Sequence, residues 1–255
     1  MIKLIAFDLD GTLYLGDEII HGAKDTIEYL KDKYSLVYFT NNSSKTKLEV
    51  TEKLNRLGIE CDSDHVYTSS SSAAAYLIEN KIDNIYVIGA KGLSMALEQA
   101  GLRVVDGAGA ENLLVGMDFD ISYEKIAHGL AILKNGGKFV ACNEDGSFPV
   151  EGEQDMPGCG AMVGAIKGSI GRGPDYIVGK PNTYIIASIA KKHNLKSDEL
   201  LIVGDSFESD IQMAKNFCCK SILLSARSEV SPDPDFDVVA DHGALLQYFQ
   251  QLGNH

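Results

Sequence analysis

Short runs of aliphatic, β-branched and aromatic residues recur along the whole chain, and each is nearly continuous instead of alternating with polar residues. They are Leu4-Ile5-Ala6-Phe7, Leu36-Val37-Tyr38-Phe39, Ile85-Tyr86-Val87-Ile88, Leu113-Leu114-Val115, Phe139-Val140-Ala141, Tyr176-Ile177-Val178, Leu200-Leu201-Ile202-Val203 and Ser221-Ile222-Leu223-Leu224. Strands have this composition when both of their faces are covered. Amphipathic stretches of helical length separate them, at 22–33, 44–57, 92–100, 122–134, 182–193 and 207–217. Strand alternating with helix predicts an α/β fold built on a mainly parallel sheet. With 255 residues and 45% hydrophobic content, the chain is long enough for one large domain or two small ones with a well-filled core.

Breaks in the pattern suggest where the chain turns. The segment Thr68 to Ala75, with its four serines, reads as a capped helix start with Ser69 or Ser70 as N-cap, in preference to a linker. Gly168 to Gly173 with Pro174 marks a candidate domain boundary, and Ser231 to Asp235 a loop before a last strand and helix. The run Gly158 to Gly164 lacks the glycine spacing of a dinucleotide loop and reads as a turn and packing feature.

Acids outnumber bases 36 to 23, a net charge of −13 that repels nucleic-acid phosphates and anionic membranes at long range. A small anionic substrate would then need a local cation, such as a metal held by carboxylates. The five cysteines and six histidines form no zinc or disulfide spacing, so reduced structural thiols are expected and no histidine is assigned a role. The opening residues meet Lys3 and Asp8 too soon for a signal peptide, and no stretch approaches a membrane span. A cytoplasmic location is the expectation.

Chemistry concentrates where the apolar runs end. Asp8 and Asp10 follow the first run, two residues apart, so both carboxylates emerge on one side of the strand end; Gly11 and Thr12 then turn the chain. The ligand site of an open α/β sheet lies at the carboxyl ends of its strands. Other runs end in Thr40-Asn41-Asn42-Ser43, Gly179-Lys180-Pro181 and Gly204-Asp205-Ser206, the last followed by Ser209-Asp210. If all four strands are parallel, these ends converge on carboxylates, a lysine, a hydroxyl and two amides. Such a mixture suits a phosphate ester bound beside Mg²⁺, which prefers oxygen ligands. Thr40, Asn41 and Asn42 could equally cap a helix beginning near Ser44, a role compatible with binding phosphate there.

On these motifs the chain resembles the haloacid dehalogenase superfamily of phosphohydrolases. It is most similar to the members with a large α/β cap between the second and third motifs: 4-nitrophenyl phosphatases, NagD-type nucleotide phosphatases and pyridoxal phosphate phosphatases. The run Asp8-Leu9-Asp10-Gly11-Thr12 followed by Thr40-Asn41-Asn42-Ser43-Ser44 is a specific signal, and the motifs fall in the family order.

The resemblance implies a doubly wound core over 1–80 and 179–255, with a smaller α/β cap inserted over 81–178. It implies a Mg²⁺-dependent phosphatase acting on small phosphate monoesters, with Asp8 as nucleophile and Asp10 as general acid and base. Mg²⁺ would be held by Asp8, the Asp10 main-chain carbonyl and Asp205; phosphate would meet Thr40, Asn41, Asn42 and Lys180. Asp210 would bind metal waters or orient Lys180. Asn143, Glu144 and Asp145, with Phe148, lie in the segment that faces substrate in similar proteins, though a polar turn explains them equally. Homodimers through the cap are common among such proteins, and the oligomeric state is left open. A phosphotransferase or mutase of the same superfamily, and a phospho-accepting receiver module, are the rival readings.

Overall fold

The structure is a computed structural model, and it describes residues 1–150, 154–225 and 235–252. In chain order its elements begin with β1 (Leu4–Asp8), the two-strand hairpin β2–β3 (Tyr14–Leu15, Glu18–Ile19), α1 (Ala23–Lys31), β4 (Ser35–Thr40) and α2 (Lys47–Arg56). There follow β5 (Val66–Thr68), α3 (Ser69–Glu79), β6 (Ile85–Ile88), α4 (Lys91–Gln99), β7 (Asn112–Val115), α5 (Tyr123–Lys134) and β8 (Phe139–Ala141). Next are the hairpin β9–β10 (Ser147–Val150, Gln154–Pro157), α6 (Cys159–Ile170), β11 (Tyr176–Ile177) and α7 (Tyr184–His193). The last are β12 (Leu200–Gly204), α8 (Gln212–Phe217), β13 (Lys220–Leu224), β14 (Phe236–Val239) and α9 (His242–Leu252). Among the described residues no helix is long and apolar enough to cross a membrane.

The chain groups into two compact units. The first holds Met1–Thr40, Thr51–Val66 and Lys180–His255, the second Asn41–Val50 and Tyr67–Gly179. The second unit therefore combines residues around 41–50 with the stretch from Tyr67 to Gly179.

In the first unit five strands run parallel in the order β14-β13-β12-β1-β4. All five residues of β1 and of β12 are buried, which is why these runs carry no polar alternation. Burying side chains such as Leu4, Ile5 and Phe7 stabilises the fold by roughly 1.5–3 kcal/mol each. α1 covers the sheet because Ala23, Ile27 and Leu30 recur at helical spacing and are all buried. From β1 the chain proceeds to the β4 side, whereas from β12 it proceeds to β13. The neighbours β1 and β12 thus send their connections in opposite directions, and a crevice opens at their carboxyl ends.

The second unit has its own parallel sheet, ordered β11-β8-β7-β6, with a separate core that includes Ile88, Leu113, Phe139, Met162 and Ile166. Tyr76 of α3 stacks on Tyr176 of β11, with ring centroids 4.2 Å apart and planes 5° from parallel.

Several expectations need correction. The Tyr176 strand belongs to the sheet of the second unit, so Lys180 reaches the first unit on the loop before α7 and not from the end of one of its strands. The run from Gly158 is the start of α6: Gly160 lets the helix approach within a hydrogen bond of the chain behind it (N–H to the Asp145 carbonyl, 2.9 Å), where a Cβ would lie 2.6 Å from the Glu144 oxygen. The serine-rich segment is helical, but its cap is Thr68, whose hydroxyl accepts from Ser71 N while Ser71 Oγ accepts from Thr68 N. The stretch 207–217 is split into a π-helical turn over Phe207–Ile211 and α8. Residues 231–234 of the expected loop lie outside the described residues.

Candidate active site

The first unit gathers Asp8, Asp10, Thr12, Thr40, Lys180, Asp205 and Asp210 around the crevice between β1 and β12. Asp8 is the last residue of β1, and its side chain is only 6% exposed. Lys180 Nζ donates to Asp8 Oδ1 at 2.6 Å and to Asp210 Oδ1 at 2.7 Å, with Lys180 5% and Asp210 0% exposed. A cation so placed holds one oxygen of Asp8 in a fixed direction. The Thr12 hydroxyl donates to Asp205 Oδ1 at 3.1 Å and lies 3.4 Å from Asp8 Oδ2. It therefore ties the turn after β1 to the end of β12.

Local backbone explains why these groups can meet. Gly11 has φ +86°, in the left-handed region, and a Cβ there would collide with the Asp205 carboxylate. A Cβ at Gly204 would likewise collide with the Asp210 carboxylate. The π-helical turn after Asp205 swings Asp210 inward, where its Oδ2 accepts from Ser206 N at 3.1 Å; single π turns recur at functional sites.

Asp10 is exposed, in contrast to Asp8. Its Oδ2 accepts from Thr40 Oγ1 at 3.4 Å, and Tyr14 also hydrogen-bonds its carboxylate. Tyr14 in turn lies under Lys53, whose Nζ is 3.7 Å from the ring centroid. Thr40, at the end of β4, is buried.

Burial raises the Asp8 carboxyl from 3.8 to about 7 against the opposing pull of Lys180, with Asp205 and Asp10 raising it further. Asp210 is likewise raised to about 7, by burial first, and again Lys180 opposes the rise. Asp205, open to solvent on one side, is raised by partial loss of solvent and by Asp210. Burial alone would lower Lys180, but Asp210 and Asp8 outweigh it and hold the ammonium well above its ordinary value. Three carboxylates thus face one ammonium, and the surplus negative charge is unfavourable without a further cation.

That surplus is the test of whether Mg²⁺ fits. Asp8, Asp205 and Asp210 each offer a carboxylate oxygen within 4.8 Å of the others, and the absent Cβ of Gly11 keeps open the space beside Asp205. An all-oxygen donor set of this kind suits Mg²⁺.

Asn41 and Asn42 belong to the second unit, and their contacts are described there. Asn41 Nδ2 donates to Asp145 Oδ1 and Oδ2 at 3.2 and 2.9 Å, and its carbonyl accepts from Asn143 Nδ2 at 2.7 Å. Asn42 Oδ1 accepts from Ser44 N and Oγ, both at 2.9 Å. The helix that follows is capped by Thr46 and not by these asparagines: Glu49 N donates to Thr46 Oγ1, and Glu49 Oε2 accepts from Thr46 N. Of the residues gathered in the first unit, the sequence reading had named Asp8, Asp10, Thr40, Lys180, Asp205 and Asp210 as candidates. It gave Thr12 no role beyond a turn and passed over Tyr14, whose spacing carries no motif of its own.

Comparison with known proteins bears on what this cluster does. A family model for haloacid dehalogenase-like hydrolases matches residues 5–103, and a HAD-hydrolase-like model matches 177–241. The acid sugar phosphatase of Staphylococcus epidermidis is 37% identical over 211 residues, covering 82% of this chain and 81% of that protein. The chain belongs to the haloacid dehalogenase-like hydrolases. Among solved structures, this hydrolase superimposes on the 4-nitrophenylphosphatase of Thermotoga maritima with a TM-score of 0.89 at 30% identity, over 96% of this chain and 97% of that one. It also superimposes on the glycerol phosphate phosphatase of Mycobacterium tuberculosis, solved with magnesium, at a TM-score of 0.86 and 25% identity, over 96% and 76% of the two chains. The hydrolase is accordingly a phosphoric monoester hydrolase, and its α/β fold with parallel sheets is the one expected from the apolar runs.

Proposed function

We propose that this phosphatase hydrolyses small phosphate monoesters in a Mg²⁺-dependent reaction that passes through an aspartyl phosphate on Asp8. The observation that carries the reading is the environment of Asp8, with one oxygen fixed by Lys180 and the other facing Thr12 beside Asp205. A carboxylate held in this way is oriented for nucleophilic attack on phosphorus, and its neighbours supply the positive charge that the phosphoryl oxygens need.

Asp8 would form the bond to phosphorus as the bond to the leaving alkoxide breaks. Asp10, exposed and hydrogen-bonded to Tyr14 and Thr40, would give its proton to that alkoxide. The same carboxylate would then take a proton from the water that cleaves the aspartyl phosphate, returning Asp8 as a free carboxylate and releasing inorganic phosphate. Proton transfers of this kind contribute about 10²–10⁴-fold, so most of the acceleration falls to charge neutralisation and positioning. Lys180 would neutralise charge at the nucleophile, and Thr40 would bind a transferring phosphoryl oxygen.

Mg²⁺ would be held by Asp8, the Asp10 main-chain carbonyl and Asp205, and it would supply Lewis-acid stabilisation of the phosphoryl charge. Both oxygens of Asp210 already have partners in Lys180 and Ser206, which favours its role as the group that orients Lys180. Selection of the leaving group is assigned to the inserted segment. Sugar phosphates head the candidate substrates because the curated relative is an acid sugar phosphatase; glycerol, nucleotide, pyridoxal and aryl phosphates follow.

Phosphate release from 4-nitrophenyl phosphate and from a panel of sugar and nucleotide phosphates tests the proposal. Steady turnover that requires Mg²⁺ and is abolished by Asp8→Asn is expected. Stoichiometric labelling without turnover would favour a receiver module, and transfer to added sugar in place of water would favour a phosphotransferase.

A further inference from the structure

His242 is the first residue of α9, 230 positions from the turn after β1, and it is fully buried against that turn. Its Nε2 lies 2.8 Å from the Thr12 carbonyl oxygen. A carbonyl can only accept, so Nε2 carries the proton and donates, and the ring is the Nε2–H tautomer. Nδ1 is buried without a hydrogen-bond partner among the described residues. The ring therefore makes one directed bond, and that bond ends on the backbone of Thr12.

The turn that it meets is tied by its backbone to Leu9, Gly11 and Ile20, but none of those bonds takes the Thr12 carbonyl. The N–H groups of Thr12, Leu13 and Tyr14 all point at the Leu9 carbonyl, at 3.2, 2.8 and 3.2 Å, so the Thr12 carbonyl faces the opposite way, toward His242. His242 is fixed in its own place. Thr26 of α1 donates its hydroxyl to the His242 carbonyl at 3.1 Å, and Gly22, at φ +79°, lets the start of α9 approach closely, since a Cβ there would stand 3.1 Å from His242 Cβ.

We propose that His242 is a positioning residue of the phosphatase site: by holding the Thr12 carbonyl it sets the rotation of the turn, and so aims the Thr12 hydroxyl at Asp205 and Asp8. The chain of contacts is continuous, from α1 through His242 and Thr12 to the two carboxylates. Its consequence is that the C-terminal helix, remote in sequence, controls how well the carboxylates receive Mg²⁺. The inference rests on the proposed roles of Asp8 and Asp205.

The test uses the full chain and two substitutions that differ in one donor. In His242→Leu no group can donate to the Thr12 carbonyl; in His242→Gln the amide can reach it. Turnover of 4-nitrophenyl phosphate and binding of Mg²⁺ alone by titration calorimetry are measured per folded molecule, the folded fraction coming from circular dichroism. Loss of an outer partner of a metal ligand typically lowers activity or metal affinity about 10–100-fold. His242→Leu is expected to lose about tenfold in both kcat and Mg²⁺ affinity with little change in KM, and His242→Gln to recover most of both. In a Thr12→Val background, where the hydroxyl is already gone, adding His242→Leu should change neither quantity further.

If His242→Leu does not fold, His242→Asn replaces it, because its shorter amide falls short of the carbonyl. Equal kcat and Mg²⁺ affinity in His242→Asn and His242→Gln would overturn the proposal. So would wild-type values per folded molecule in His242→Leu, which would leave His242 a purely structural group. Failure of the reading beneath it would appear separately, as turnover in the wild type that survives Asp8→Asn.

Discussion

Removing the Lys180 ammonium is the perturbation whose consequence the structure defines most fully. Lys180 Nζ lies 2.6 Å from Asp8 and 2.7 Å from Asp210, and none of the three side chains is more than 6% exposed. An exposed ion pair contributes at most about 1 kcal/mol, whereas breaking a buried pair by deleting one partner costs about 3–5 kcal/mol because the other charge is left without compensation. Lys180→Met preserves the aliphatic stem and leaves two buried carboxylates facing each other, so the larger figure applies. It corresponds to a fall of roughly 10 °C in melting temperature.

The chain has no tryptophan, so urea unfolding is best followed by far-UV circular dichroism, at pH 8 with a chelator present. Asp210→Asn combined with Lys180→Met should be less destabilised than the sum of the two single changes, by roughly 0.5–3 kcal/mol, since each removes the other's counter-charge. Mg²⁺ should raise the melting temperature of Lys180→Met by more than that of the wild type, because more uncompensated negative charge faces it. A loss below about 1 kcal/mol, or strict additivity in the double variant, would refute the view of Lys180 as a buried counter-ion.

Asp10→Asn should load phosphate on Asp8 and then stall, giving a burst of leaving group without steady turnover; near-normal turnover would remove Asp10 from the acid and base role. Gly11→Ala, which combines a left-handed backbone with a clash against Asp205, should lower Mg²⁺ affinity by calorimetry while the far-UV spectrum stays native. Burial lowers His242 below its ordinary 6.5, so the unfolded chain binds the proton more readily than the folded one. Its contribution to stability is full above pH 6.5 and falls away as pH drops through the lower folded value, and urea midpoints of His242→Gln should therefore decline less between about pH 6.5 and 5 than those of the wild type.

How much of this could be read from the sequence depended on the range of the interactions. Phe139–Ala141 could be placed to the residue because a strand covered on both faces has no choice but to be apolar throughout. Asp8, Asp10 and Asp205 could be singled out because they stand at or just past the ends of such strands, and Asp210 because it follows one of them within a turn. The hairpin of Tyr14–Leu15 with Glu18–Ile19 was not, since two-residue strands carry no period. Gly160 and Gly164 disguised α6, whose helix tolerates them because one is needed for close approach to the chain at Glu144 and Asp145. Lys180 was singled out on an incomplete reason: parallel strands look alike in sequence whichever sheet they join, and the strand before Lys180 belongs to the second unit. Tyr14 and His242 act through single hydrogen bonds set by tertiary structure, and His242 reaches its partner across 230 positions. No local pattern encodes such a contact.

The central claim is that Asp8 itself becomes phosphorylated. Acid-quenching the enzyme during turnover of 4-nitrophenyl phosphate, followed by peptide mass spectrometry, tests it directly. A phosphoryl increment on the peptide that carries Asp8, removed by hydroxylamine as an acyl phosphate must be and missing in Asp8→Asn, is the expected result. Steady turnover with no increment on that peptide, or with the increment on another residue, would contradict it.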